Sequence, residues 1–220
     1  MNIKEWFNLL NTYKRINLEY QLNSPYCCKP VDQKKCQLNI YFGLPGSGKS
    51  TYAAYLAAHD MKKGRAVYSN FPITGAFILE PKDDLGSVEV VNGRVIIDEC
   101  SVEFNNRDFK NMEKRIIEFL KYHRHNETIV DVFSQAPDDI DITFRRLAYN
   151  CYWIRKTMFP WLISITPIER TIDVIEGDLK TTYEIHKSLF QRKFVYCPPY
   201  WKLFNTLSRK QLPRKEWKRY

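Results

Sequence analysis

Eight residues constrain this chain more than any others: Gly43-Leu44-Pro45-Gly46-Ser47-Gly48-Lys49-Ser50 satisfies G-x-x-x-x-G-K-[ST] at every fixed position. The spacing has a physical cause. Glycines let successive backbone N–H groups turn inward as a nest for phosphate oxygens, the lysine reaches the β- and γ-phosphates, and the serine hydroxyl binds Mg²⁺. A helix beginning at such a loop adds its positive N-terminal end. The flanks comply: LNIYF at 38–42 reads as a strand, and the chain from Gly48 to about Lys62 as a helix. Gly43 through Ser50, with Thr51, are therefore expected to hold ATP, and Ser50 to be a Mg²⁺ ligand.

From the loop onward strands and helices alternate. RAVYSNF at 65–71 reads as a strand stopped by Pro72, VEVV at 88–91 as a short strand before Asn92-Gly93, and RVIIDE at 94–99 as a buried one. Val95, Ile96 and Ile97 run on without alternation, which is the pattern of a strand covered on both faces. Residues 110–123 form a helix with Met112, Ile116, Ile117, Phe119 and Leu120 inward, and TIVDVFS at 128–134 is another inner strand. Alternation of this kind predicts an α/β fold, a mainly parallel sheet with helices on both faces. Beyond Asn150 the pattern changes to strands at 151–156, 163–166, 170–175 and 181–186. The last two flank Glu176-Gly177-Asp178 as a hairpin, and all are expected as antiparallel additions in the C-terminal third.

Three parts follow: an N-terminal helix and loop at 1–36, a nucleotide domain at 37–200 and a basic tail at 201–220. The first rests on the stripe Trp6, Phe7, Leu9, Leu10, Tyr13, Ile16, Leu18 and Tyr20, ended by Ser24-Pro25. After Trp201 the tail holds seven basic residues against Glu216 alone.

A phosphate loop needs a second half, an acidic residue closing an apolar strand. Asp98 supplies it as a Mg²⁺ ligand through water, and Glu99 is placed to activate the water that attacks the γ-phosphate. The pair favours hydrolysis over phosphoryl transfer, because a kinase needs no glutamate to prime water. Gln135, after the next strand, fits a sensor of the γ-phosphate. Arg145-Arg146 suits an arginine finger acting on a neighbouring subunit, and equally a solvated or DNA-facing basic pair. For Tyr122-His123-Arg124-His125, DNA contact, subunit contact and helix C-capping all stand open, while two His at i, i+2 share no helix face and argue against a metal.

The formal charge of +9 favours an anionic partner such as nucleic acid or a membrane face. No run of 18 apolar residues exists, and MNIKEWFNLL lacks the apolar core and cleavage site of a signal peptide, so neither an integral membrane protein nor a Sec-exported one is expected. The six cysteines, Cys27, Cys28, Cys36, Cys100, Cys151 and Cys197, lack the paired spacings of zinc ligands and read as reduced thiols of a cytosolic protein.

Taken in order, GLPGSGKST, VYSNFP, VIIDEC and YHRHNETIVDVFSQAPDDIDITFRRL resemble the N-terminal domain family of zonula occludens toxin, P-loop ATPases similar to the HerA–FtsK DNA-pumping group. The resemblance runs over residues 38–200. It implies an ATPase linked to filamentous-phage assembly and export, or to DNA movement by related mobile elements. It places Lys49 and Ser50 in the ATP–Mg²⁺ loop, Asp98 and Glu99 as the acidic pair, Gln135 as γ-phosphate sensor, and the arginine of an R-x-L ending at Arg145 or Arg146. Many phage members start almost at the phosphate loop and continue into a transmembrane helix. This chain has 36 residues before its nucleotide domain and no span, so a cytoplasmic location is expected, with peripheral attachment at the inner face of the host membrane. Three functions are weighed: a homo-oligomeric motor acting on DNA with a coat-protein or membrane partner, a nucleotide-dependent scaffold with slow turnover, and a small-molecule kinase.

Overall fold

The strands on either side of the phosphate loop build one mixed sheet whose parallel half carries that loop. The computed structural model describes residues 36–100, 114–175, 178–185 and 191–205, with backbone alone for 170–175 and 178–185. The N-terminal helix expected within 1–36 and the tail beyond residue 205 lie outside the described residues.

In chain order the elements are β1 (Leu38–Phe42), α1 (Lys49–Met61), β2 (Ala66–Ser69), β3 (Phe77–Ile78), α2 (Pro81–Asp84), β4 (Gly93–Ile97), α3 (Lys114–Tyr122), β5 (Ile129–Ser134), α4 (Ile142–Leu147) and β6 (Asn150–Lys156). There follow β7 (Leu162–Ile175), β8 (Asp178–Ile185) and β9 (Lys193–Tyr196). The strands lie in the order β3-β2-β4-β5-β1-β6-β7-β8, with β9 also against β7. From β3 to β6 every pairing is parallel. β7 is antiparallel to β6, β8 and β9.

The inner strands are buried on both faces, and their side chains sort by parity. Leu38, Ile40 and Phe42 of β1 join Val95, Ile97, Val130 and Val132 on the face covered by α3 and α4, where Ile116, Leu120 and Phe144 meet them. Tyr41, Ile96 and Phe133 point the other way, beneath Tyr52, Ala53, Leu56 and Ala57 of α1. Each fully buried side chain such as Phe42, Phe133 or Phe144 contributes roughly 1.5–3 kcal/mol. Helices on both faces of a parallel sheet are thus what the alternation predicted.

One polar chain crosses the face under α1. Arg94 of β4 donates to Asp60 at 2.7 Å and is bonded to Asp131 of β5, while Arg65 also reaches Asp60 at 2.8 Å. Asn39 donates to Asp131, and Asn150 to Asn39 and Gln37. Two buried carboxylates are thereby matched by two guanidinium groups, the condition under which such charges survive desolvation.

Several boundaries differ from the expectation. Residues 88–91 form no strand: Val88 makes a single bridge to Leu85, and β2 already occupies the flank of β4 that the segment would need. The strands expected at 163–166 and 170–175 are one, β7, running through Pro167. Pro167 stays in register with Tyr152 of β6, and on the other flank Ile165 is the last residue paired with β9 and Ile168 the first paired with β8, so there the proline falls between two ladders. β4 stops at Ile97, which leaves Asp98 and Glu99 beyond the ladder. β3 was not anticipated. Residues 201–205, placed in the tail, pack on the domain: Leu203 is buried and its carbonyl accepts from the Thr74 N–H at 2.7 Å.

Candidate nucleotide site

Parallel pairing brings the C-terminal ends of β1, β4 and β5 to one margin, and the loops that follow them meet there. The Gly43 N–H donates to the Ser134 carbonyl at 3.1 Å, pinning the phosphate loop to the end of β5. Gly43 must be glycine: a Cβ there would stand 2.5 Å from Ser47 Oγ and 2.8 Å from the Ile154 carbonyl. Gly48 is held at φ 100°, and a Cβ on it would also strike Ile163 at 2.8 Å. The Ser47 hydroxyl is buried and has no hydrogen-bond partner among the described residues. A tight cradle with an unmatched polar atom, opening a helix, fits a bound phosphate chain.

Lys49 curls back over the loop, its ammonium donating to the carbonyls of Gly43 at 2.6 Å and Leu44 at 3.2 Å. Burial lowers its pKa, while Asp98 and Glu99 act to keep it charged. Ser50 Oγ donates to Asp98 Oδ2 at 2.9 Å, so the two residues expected to hold Mg²⁺ meet across 48 positions of sequence. A hydroxyl and a carboxylate in contact at a phosphate loop are the oxygen donors Mg²⁺ takes, and the pair fits that ion. Burial raises the Asp98 carboxyl above the ordinary range, opposed by the Ser50 hydroxyl and the Glu99 N–H.

Glu99 is exposed and its backbone lies at φ 48°, a left-handed conformation costly for a residue with a side chain. Its N–H donates to Asp98 Oδ1 at 3.0 Å. Two bonds from a residue the sequence reading did not single out hold this turn: Asn70 Oδ1 accepts from the Asp98 N–H at 2.8 Å, and Asn70 Nδ2 donates to the Asp98 carbonyl at 2.9 Å. In sequence Asn70 stood inside the strand expected at 65–71 and in the quoted VYSNFP, and its role shows only once β2 is known to end at Ser69 and to lie beside β4.

Gln135 is exposed one residue past β5, and β5 lies between β4 and β1, so it stands between the acidic turn and the phosphate loop. Arg145 and Arg146 are on α4, across the sheet from α1. The Arg145 guanidinium lies 3.6 Å from the Asp138 carboxylate, whereas Arg146 is exposed. His123 is buried, with Nδ1 2.8 Å from the Leu120 carbonyl, and burial lowers its pKa. This contact sets the His123 ring against a carbonyl of the last turn of α3, the geometry of a helix cap. Beside the loop, a cavity of about 400 Å³ is lined by Leu44, Pro45, Gly46 and Ser47 with Trp153, Ile154, Arg155 and Lys156. The Arg155 guanidinium lies over the Trp153 ring, 5.5 Å from its centroid. Neither residue carries a sequence signal for such a place.

A strand, phosphate loop and helix at the head of a parallel sheet, with a carboxylate from a neighbouring strand against the loop serine, define the P-loop NTPase fold. Within that class the chain is similar in structure to the N-terminal domain of zonular occludens toxin from Neisseria meningitidis, at a TM-score of 0.50 and 18% identity over 70% of this chain and 96% of that one. It also matches the genome packaging NTPase B204 from Sulfolobus turreted icosahedral virus 2 in complex with AMPPCP, with TM-score 0.42, 15% identity and coverage of 70% and 100%. A third match is the RadB recombinase, with TM-score 0.44, 16% identity and coverage of 60% and 80%. Neither a protein-family model nor a curated protein matches the sequence. The resemblance drawn from the motifs thus reappears in the fold.

Proposed function

We propose that this chain is an ATP-hydrolysing motor of a phage or mobile element, coupling hydrolysis to DNA translocation or to filamentous-phage assembly and export. The observation that carries the reading is the Ser50–Asp98 contact at the phosphate loop, with Glu99 next in line. Within the loop at 43–51, the backbone N–H groups of Gly46, Gly48, Lys49, Ser50 and Thr51, with the Lys49 ammonium, bind and orient the triphosphate. Ser50 and Asp98 would hold Mg²⁺, which when bound neutralises charge on the β- and γ-oxygens. Glu99 takes a proton from the attacking water at its carboxylate, Gln135 orients the γ-phosphate, and Arg146 is the finger offered to a neighbouring copy. Arg145, tied to Asp138, is the weaker choice.

The charge of +9 supports DNA as the partner, and a finger offered to a neighbouring copy requires a homo-oligomer as the working form. No helix among the described residues is long and apolar enough to cross a membrane, and a cytoplasmic location, peripheral at the inner membrane, is part of the same proposal.

The test is ATP hydrolysis across a protein concentration series, with and without single- and double-stranded DNA, beside Lys49→Ala and Glu99→Gln. Activity that needs both residues, steepens with concentration and rises with DNA is the expected result. Turnover indifferent to concentration and DNA refutes the motor. ATP binding without turnover puts a nucleotide-dependent scaffold in its place.

A further inference from the structure

The turn between β6 and β7 projects Met158, Phe159 and Trp161, exposed to 90%, 47% and 38%, and no large apolar side chain among the described residues is more exposed than Met158. The turn is built to hold them out. Thr157 Oγ1 accepts from the Phe159 N–H at 3.1 Å and donates to the Leu162 carbonyl at 2.9 Å. The Leu162 N–H donates to the Phe159 carbonyl at 3.0 Å, and the Trp161 carbonyl accepts from the Cys197 N–H at 2.8 Å, which ties the turn to the end of β9. Pro160 brings no N–H that needs a partner. Backbone groups paired within a turn lower the cost of taking its tip out of water.

The charge around the tip is of one sign. Segments 150–168 and 191–197 contain Arg155, Lys156, Arg192 and Lys193 and no Asp or Glu. Along β7 the first carboxylate is Glu169, roughly 23 Å of strand beyond Leu162. Scattered apolar side chains on a surface need no explanation, but a held cluster beside charge of one sign marks a contact. A nucleic acid would answer the charge and would need free aromatic faces for its bases. Phe159 and Trp161 instead stack on one another, ring centroids 5.1 Å apart and planes at 30°, and the thioether of Met158 serves neither base nor phosphate. An anionic bilayer uses every part: acyl chains take Met158 and Phe159, the interface takes tryptophan, and lipid phosphates answer the basic residues.

We infer that the turn between β6 and β7 is a docking tip for an anionic lipid surface, with Met158 and Phe159 entering the acyl region and Trp161 at the level of the headgroups. The inference rests on the peripheral membrane location proposed above and names the surface that makes the contact and the lipid charge it needs. β6 runs parallel with β1, so the tip stands at the end of the sheet that carries the phosphate loop. Lys156, the last residue of β6, lines the cavity beside Gly46, so a docked bilayer lies next to the nucleotide site.

Flotation of the full chain with vesicles tests it. In low salt the wild type is expected to bind vesicles of mixed phosphatidylcholine and phosphatidylglycerol and to ignore pure phosphatidylcholine. Met158→Ser/Phe159→Ser keeps every charge and should bind at least about tenfold more weakly. Met158→Ser alone, at a side chain 90% exposed, leaves the fold untouched and should bind about threefold more weakly. Melting curves check that both variants fold. Lipids with brominated acyl chains should quench the tryptophan fluorescence of the wild type, and most of that quenching should vanish in Trp161→Phe. Equal quenching in the two, or equal vesicle binding by wild type and double variant, overturns the inference and leaves the peripheral location to another part of the chain. A wild type that ignores anionic vesicles overturns both and leaves the tip to an acidic protein partner. Single-stranded DNA binding lost in the double variant, with vesicle binding kept, gives the tip to nucleic acid and overturns the inference as well. ATP hydrolysis without vesicles should be unchanged in both variants, so the nucleotide site is read separately.

Discussion

Asn70 grips Asp98 by both of its backbone polar groups, accepting from the N–H at 2.8 Å and donating to the carbonyl at 2.9 Å. The side-chain amide acts as one more rung of the β2–β4 ladder, placed one residue beyond the last regular pair, Ser69 with Ile96. It fixes the peptide plane from which Glu99 departs at φ 48°. Asn70 is thus a positioning residue for the acidic pair.

Asn70→Ala leaves both groups of Asp98 without that partner and frees the turn. Stability is expected to fall by about 1–3 kcal/mol, and kcat by up to about 100-fold through misplacement of Glu99. The affinity for ATP, set by the phosphate loop, should change less than about threefold. Steady-state kinetics with a binding titration separate the two effects. A matching loss in ATP affinity with kcat intact would show that the clamp serves binding instead.

Asp98 is predicted to trade stability for metal binding. Its carboxyl is raised by burial, so the folded chain holds the proton more tightly than the unfolded one. The contribution is therefore most favourable below the ordinary carboxylate range and is lost as pH rises through the raised value. Asp98→Asn should melt higher than the wild type at pH 7 without nucleotide, the difference vanishing in acid, while hydrolysis and the stabilisation by Mg²⁺ with ATP disappear. Thermal melts at pH 7 and pH 4 decide it; a lower melting temperature for the variant at pH 7 contradicts the sign.

The two arginines of α4 should separate. Arg146→Ala is expected to lower kcat by about 10³-fold or more at unchanged ATP binding. Arg145→Ala, which loses a pair with the exposed Asp138 carboxylate 3.6 Å away, should cost less than about 1 kcal/mol of stability and little activity. Mixing Arg146→Ala with Glu99→Gln should restore part of the activity if the finger acts between copies. No recovery in the mixture assigns Arg146 to its own subunit.

Arg94 is shared by two buried carboxylates, Asp60 and Asp131, and is the guanidinium bonded to Asp131. Arg94→Met leaves Asp60 to Arg65 and Asp131 to Asn39, and is expected to cost about 3–5 kcal/mol. Replacing Asp131 with Asn in the same chain should recover part of that loss. Urea unfolding of the single and double variants measures it; additive losses would mean that Arg94 and Asp131 do not act as a pair.

How far the sequence reached follows from which forces are local. The phosphate loop is eight consecutive residues whose chemistry depends on their own backbone, so Lys49, Ser50 and the helix behind them were legible at once. Val95, Ile96 and Ile97 announced a strand buried on both faces, because continuous apolar character has few other uses in so short a run. Those two segments were enough to place Asp98 near Ser50 before any coordinates. Other features depend on which strands are neighbours. Asn70 matters only because β2 lies against β4, Arg94 is tolerable only because α1 and β5 bring Asp60 and Asp131 to it, and Pro167 is harmless only because two ladders part there. Local backbone chemistry and side-chain periodicity are carried by the sequence directly. Contacts between residues far apart in the chain exist only once burial of both sheet faces has selected one strand order, and that order is a property of the folded chain as a whole.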